Sequence, residues 1–247
     1  MAFNKESNGY IITFSVVLVI IVGALLSAVS MGLKPTQDEN LKNEKKQYIL
    51  NAALIDVDRA GAGKMFDQYI TKRIVLDHNG NVKAEFTGEI KDANDAFNVD
   101  IIKEYRNKAL KQEDKNFPMY VCEKDGRTLY IVPVAGKGLW DLIWGYICFD
   151  ETGKTVYGSV FDHKAETPGL GSKIAEDKFE KDFIGKSIES EGEFKTIRVV
   201  KPGSEQLDAY KVDGISGSTF TGIGVQEMIK RTMPVYYNYF NNIQTEK

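Results

Sequence analysis

The chain has 247 residues, 43% hydrophobic and 27% charged, with a formal net charge of -3. That is enough for one sizeable domain or two small ones around a real core, and it excludes a disordered or collagen-like protein. No run of Lys and Arg interleaves with aromatics, so a nucleic-acid surface is not expected.

Residues 1–10 form a short flank before 11–33 (IITFSVVLVIIVGALLSAVSMGL), an uncharged apolar run of about 35 Å as a helix, enough to cross a hydrocarbon core. A transmembrane helix is predicted. Ala28 and Ser30 imitate a signal-cleavage site, but the apolar region exceeds the roughly 7–15 residues usual in a signal peptide. Lys5 precedes the span, whereas Lys34, Lys42, Lys45 and Lys46 follow it, which points the following domain inward. For a long domain that rule loses force, and the residues alone leave the side open.

Residues 34–117 read as a stalk helix and an accessory α+β segment. Apolar residues at helical spacing over 40–56 give the stalk, 70–77 and 81–86 flank the turn His78-Asn79-Gly80, and 96–110 returns to helical spacing. Residues 118–247 form the main domain. Strands are predicted at 119–122 and 128–134, around a turn at 124–127, and at 143–149 and 156–161, around a turn at 150–154. A helix follows at 172–183, its charged cluster 176–182 read as a solvated face, then strands at 196–200 and 209–212. A longer helix at 219–239 carries Pro234, a residue expected to kink or break it. Strand runs followed by helices give an α+β class with an antiparallel sheet and flanking helices. Cys122 and Cys148 sit in strand-like runs and are expected as buried thiols rather than a disulfide. With His78 and His163 they lack the short ligand spacings of zinc or iron-sulfur sites, so no protein-held metal centre is expected.

The stretch DGISGSTFT, 213–221, crowds two glycines and four hydroxyl residues ahead of the last helix. Free N–H groups and the positive end of a helix dipole suit a phosphate there. A simple N-cap by Ser216 or Ser218 is the plainer alternative. The Walker pattern with its lysine is missing, and no G-x-G-x-x-G dinucleotide fingerprint follows a strand.

DGISGST resembles the D-x-x-[ST]-G-A-T flavinylation signature, in which a dedicated flavin transferase esterifies the final threonine with the phosphate of FMN. The resemblance makes Thr219 the modified residue, with Thr221 as the alternative hydroxyl. Ser218 stands where the signature has alanine. The run His163-Lys164-Ala165-Glu166-Thr167-Pro168-Gly169-Leu170-Gly171 resembles the H-x-x-E-T-P-G-L-G loop of FMN-binding domains, and 136–140 (GKGLW) is similar to the same family. With the amino-terminal anchor, the whole chain resembles the C-subunit family of sodium-translocating NADH:quinone reductases. The G-subunit family of Rnf-type ferredoxin:NAD oxidoreductases shares anchor and flavin domain but not so long a segment between them, and a membrane-anchored module that holds phosphate ligands without redox work is the reading from another class.

The resemblance implies covalent FMN on Thr219, with Ser216, Gly217 and Ser218 at the phosphate end and Glu166, Thr167, Gly169 and Leu170 near the ring. It implies a redox relay with no catalytic residue of its own: single electrons arrive from an iron-sulfur centre of a neighbouring subunit and leave to another bound flavin. NADH oxidation, ubiquinone reduction and sodium export then belong to a multi-subunit translocase in the cytoplasmic (inner) membrane, with the flavin domain on the extracytoplasmic side. Trp140, Trp144, Tyr236, Tyr237 and Tyr239 could stack on the ring or face partners, but as aromatics they are read as core and left without a role.

Overall fold

The structure, a computed structural model, describes residues 7–245. Residues 1–6 of the expected flank, Lys5 among them, lie outside the described residues. The chain parts into two compact units between Lys45 and Lys46.

The first unit is built by helix α1 (Asn8–Ala52), the one helix among the described residues long and apolar enough to cross a membrane. The predicted span and stalk are one helix, because only Pro35 stands between them as a breaker and α1 runs through it. Lys34 pairs with Asp38 one turn on.

In the second unit α1 ends at Ala52, and Leu54 turns into the left-handed region (φ 56°). The carbonyls of Ala53 and Leu54 accept hydrogen bonds from Lys124 Nζ at 3.1 Å, which satisfies polar groups that a helix end leaves open. Next come α2 (Ala62–Tyr69), β1 (Ile70–Leu76), β2 (Val82–Phe86) and α3 (Ile101–Arg106). The helix predicted over 96–110 is much shorter than its spacing implied. Asp95 caps a single 3-10 turn by accepting from Phe97 N, and Asp100 caps α3 by accepting from Ile102 and Lys103 N. Two aspartates that bond forward along the backbone divide the run into separate starts.

Strands β3 (Phe117–Lys124), β4 (Arg127–Lys137), β5 (Leu142–Phe149) and β6 (Val156–His163) form the predicted antiparallel set. They join β1 and β2 in one six-stranded sheet of order β2-β1-β3-β4-β5-β6, so strands of the 34–117 segment extend the sheet of the main domain. Side chains alternate between its faces. Ile74, Met119, Val121, Val132, Val134, Ile147 and Phe149 face one core, and Phe66, Phe97, Tyr120, Cys122, Ile131 and Cys148 the other. Burial on both faces explains why these strands read as nearly unbroken apolar runs. Both cysteines are free and buried, and burial pushes the Cys122 thiol up to about 12.

After β6 the predicted helix 172–183 is a 3-10 turn (Gly171–Ala175) and a short α4 (Asp177–Lys181). Two short pairs follow, β7 (Glu189–Ser190) with β8 (Glu193–Phe194), and the parallel β9 (Arg198–Val200) with β10 (Lys211–Asp213). The last helix, α5 (Thr219–Thr245), lays Val225, Met228, Ile229, Met233, Tyr236 and Phe240 on the first core. It runs through Pro234 rather than breaking, and the carbonyl deprived of its N–H belongs to Lys230, an exposed residue that water can serve. The carboxy-terminal tyrosines are core: Tyr236, Tyr237 and Tyr239 are all buried, and Tyr236 OH donates to Pro118 O at 2.9 Å.

The charged cluster is not wholly a solvated face. Glu180 of α4 turns toward the edge strand β6, its Oε1 accepting from Phe161 N at 2.7 Å while its carbonyl accepts from Ser159 Oγ at 2.9 Å. This covers an edge that would otherwise offer unpaired groups. Burial, with Asp177 and Asp162 nearby, pushes the Glu180 carboxyl up to about 7. A raised carboxyl keeps its proton in the folded state after the unfolded chain has lost it, so stability is greatest below the ordinary value of 4.5 and falls as pH rises to about 7. The group is partly wet, and the expected loss is about 1–2 kcal/mol. Thermal unfolding of Glu180→Gln should therefore lack the decline expected for the parent between pH 4.5 and 7. Parallel curves would contradict this role for Glu180.

Candidate functional site

Three loops carry the motifs, and the sheet order brings them together. The first joins β4 to β5, closed by Gly138 N donating to Asp141 O at 2.8 Å. The second leaves β6 at His163 and folds on itself: Glu166 N donates to His163 Nδ1 at 3.3 Å, and Leu170 N and Ser172 N both donate to Thr167 O. The third runs from β10 into α5, where Gly217 adopts a positive φ of 80° and Ser218 N donates to Ile215 O.

One carboxylate links all three. Glu166, only 4% exposed, accepts from Trp140 N at 3.0 Å through Oε1 and from Thr221 Oγ1 at 2.6 Å through Oε2. The glycines of the motifs make room for it. A Cβ on Gly138 would lie 2.5 Å from Glu166 Oε1, and one on Gly171 would lie 2.6 Å from both Glu166 Oε2 and Thr221 Oγ1. The indole Nε1 of Trp140 donates to Thr167 Oγ1 at 3.1 Å. The two threonines of the last motif therefore differ sharply: Thr221 is 1% exposed and engaged, whereas Thr219, the first residue of α5, is exposed.

Ser218 closes the first turn of α5, its carbonyl accepting from Gly222 N at 3.1 Å. Its hydroxyl does not act as the N-cap acceptor. Ser218 Oγ is buried with no hydrogen-bond partner, in a residue 5% exposed. Ser216, Gly217, Ser218 and Thr219 line a cavity of about 130 Å³ whose opposite wall is Val199, Val200, Lys201 and Pro202. Around the loops Leu139, Trp140, Leu170, Phe220 and Ile223 are large apolar side chains left 41–68% exposed.

Of the residues singled out in the sequence, Glu166, Thr167, Gly169 and Leu170 thus lie in one loop, with Ser216, Gly217, Ser218 and Thr219 in the facing one. Both oxygens of Glu166 accept hydrogen bonds from the protein itself, from Trp140 N and Thr221 Oγ1. Trp140, to which the sequence assigns no role, sits at the junction through two hydrogen bonds. The 199–202 wall was missed, since VVKP carries no motif and reaches the cavity only because β9 pairs with β10. Among the described residues no group of His, Cys, Asp and Glu could hold a metal ion.

Residues 138–233 match the FMN-binding domain family. Over 240 residues the chain is 29% identical to the C subunit of the Na(+)-translocating NADH-quinone reductase of Vibrio campbellii, covering 92% of this chain and 90% of that one. It is 30% identical over 236 residues to the protein of the same name from Vibrio parahaemolyticus, covering 90% and 87%. The crystal structure of the C subunit of the Na(+)-translocating NADH-quinone reductase from Parabacteroides distasonis superposes with a TM-score of 0.73 at 35% identity, over 84% of this chain and 96% of that one.

Proposed function

Because the chain belongs to the C-subunit family of the Na(+)-translocating NADH-quinone reductases and carries an FMN-binding domain, we propose that it is the component that holds FMN through a phosphoester to Thr219 and relays single electrons within that membrane complex. The observation that carries this reading is the contrast at the mouth of α5: an exposed Thr219 beside a buried hydroxyl, Ser218 Oγ, that has no partner. A buried polar group without a hydrogen bond costs about 1–3 kcal/mol, and an anion at a helix N-terminus would accept from it.

The residues fit FMN at both ends. The cavity of about 130 Å³ has room for a phosphoryl group beside Thr219, and the exposed Trp140, Leu170 and Phe220 offer apolar surface to a flat ring. Bound FMN would supply the redox chemistry. The chain's own residues would hold the phosphate against Ser216, Gly217 and Ser218 and keep Thr167 and Leu170 toward the ring. Attachment needs a flavin transferase and FAD: the bond from Thr219 Oγ to the FMN phosphorus would form, the pyrophosphate P–O bond would break, AMP would leave and the hydroxyl proton would be released. An ester bond holds the cofactor at full occupancy where no free flavin is supplied, which suits a domain outside the cytoplasm; we place this one on the extracytoplasmic side of the inner membrane, anchored by α1. Other subunits of the complex would bind NADH and quinone and move sodium.

Intact mass of full-length protein from membranes tests the proposal. Protein made with its transferase should gain the mass of FMN less water and fluoresce in a denaturing gel. Material of unmodified mass would reject covalent attachment and leave the non-redox phosphate module as the better reading.

A further inference from the structure

We propose that Glu166 is a positioning residue, a latch that acts through Thr221 and Trp140 to hold Thr219 outward for modification, an inference that rests on the attachment reading above.

The letters of the two motifs converge on this side chain. His163 Nδ1 accepts from the backbone N of Glu166 and fixes the turn that aims it inward. Gly138 and Gly171 lack the Cβ that would occupy its carboxylate's position. Thr221, fifty-five residues along the chain, donates to it at 2.6 Å. All of this is out of water, with Glu166 4% and Thr221 1% exposed. Both carboxylate oxygens are therefore used in holding the protein together.

The consequence for Thr219 follows from helix geometry. Positions two apart are separated by about 200° around an α-helix, so Thr219 and Thr221 lie on nearly opposite sides of the first turn. Fixing Thr221 inward fixes Thr219 outward. The first turn of a helix lacks part of its backbone hydrogen bonding and frays most readily, so a side-chain anchor there governs its order. The same carboxylate holds the N–H of Trp140, whose indole reaches Thr167, so the latch also sets the apolar wall beside the attachment point.

The test uses the full-length chain, purified without flavin and incubated with flavin transferase and FAD. Covalent incorporation is followed by intact mass, and amide exchange over 213–221 is measured before any flavin is added. Thr221→Val should incorporate flavin about tenfold more slowly and exchange faster over 213–221, the scale set by one buried hydrogen bond. Thr221→Ser keeps the donor and should restore both. Glu166→Gln can still accept from Trp140 N and pair with Thr221, so it should remain near the parent, whereas Glu166→Ala should be at least as slow as Thr221→Val. Tyr236→Phe, which removes a buried hydrogen bond far from the latch, controls for stability: its melting temperature should fall while its incorporation rate stays unchanged. If Thr221→Val incorporates flavin at the parent rate, or Tyr236→Phe slows it equally, the latch is rejected. If the parent chain takes up no flavin, the attachment reading fails instead, and the exchange data still report whether Glu166 orders the loop.

Discussion

Thr219→Val is expected to abolish covalent flavin completely, while Thr221→Val slows its attachment but leaves it complete at long times. Valine keeps the shape of threonine and removes only the hydroxyl, so the first substitution deletes the proposed bonding atom with little effect on packing. The second deletes a donor whose only assigned work is to Glu166. Modification at Thr221 would require the first turn of α5 to open, break a 2.6 Å hydrogen bond and expose a residue only 1% accessible. At Thr219, an exposed residue, none of those costs arises. In-gel fluorescence of denatured protein and the mass of the 213–221 peptide distinguish the cases directly. Flavin retained by Thr219→Val and lost by Thr221→Val would move the ester to Thr221 and overturn the assignment.

The sheet was legible where its strands are long and bounded by turn residues. Asp125-Gly126 and Thr152-Gly153 stand between apolar runs, and the strands around them fall where the pattern places them. Legibility failed where polar side chains bond to backbone N–H groups instead of facing solvent. Asp95 and Asp100 bond forward along the backbone and cut a helical run short, although the apolar spacing over 96–110 is that of a helix. Glu180 looks like its charged neighbours in sequence, yet it turns inward because the edge strand β6 offers it Phe161 N.

The candidate site was legible in a similar, partial way. Its loops stood out through their resemblance to flavin-domain motifs, since a Pro-Gly turn or a hydroxyl cap alone reads only as a turn or a helix start. What joins them was not visible, since nothing local to residue 166 or residue 221 says that each is the other's partner. The spacing gives only the prior that both loops stand at the ends of elements in one sheet-and-helix layer. The positions of Gly138 and Gly171 become intelligible once the carboxylate they accommodate is in place.

Asp95→Ala is expected to cost about 3–5 kcal/mol of folding stability, the largest effect anticipated for a residue outside the site. Arg73 is 2% exposed in the middle of β1, and its Nε and Nη2 both donate to the Asp95 carboxylate at 2.9–3.1 Å. The same carboxylate accepts from Phe97 N, so it also holds the turn that seats Phe97 against Phe66. Removing it strands a guanidinium, which cannot lose its proton, among apolar side chains. Arg73→Met in the Asp95→Leu background removes both charges and should recover much of the loss, because the pair's attraction largely offsets its own desolvation. Urea unfolding followed by tryptophan fluorescence would give the midpoints, and an Asp95→Ala midpoint within error of the parent would refute the prediction. Arg73 faces Tyr120 on the side of the sheet away from α5, so whatever fraction of Asp95→Ala remains folded should accept flavin at the parent rate. That separates the two faces: one core face, stabilised by an internal ion pair, carries the accessory segment, and the other carries the helix whose first turn presents Thr219.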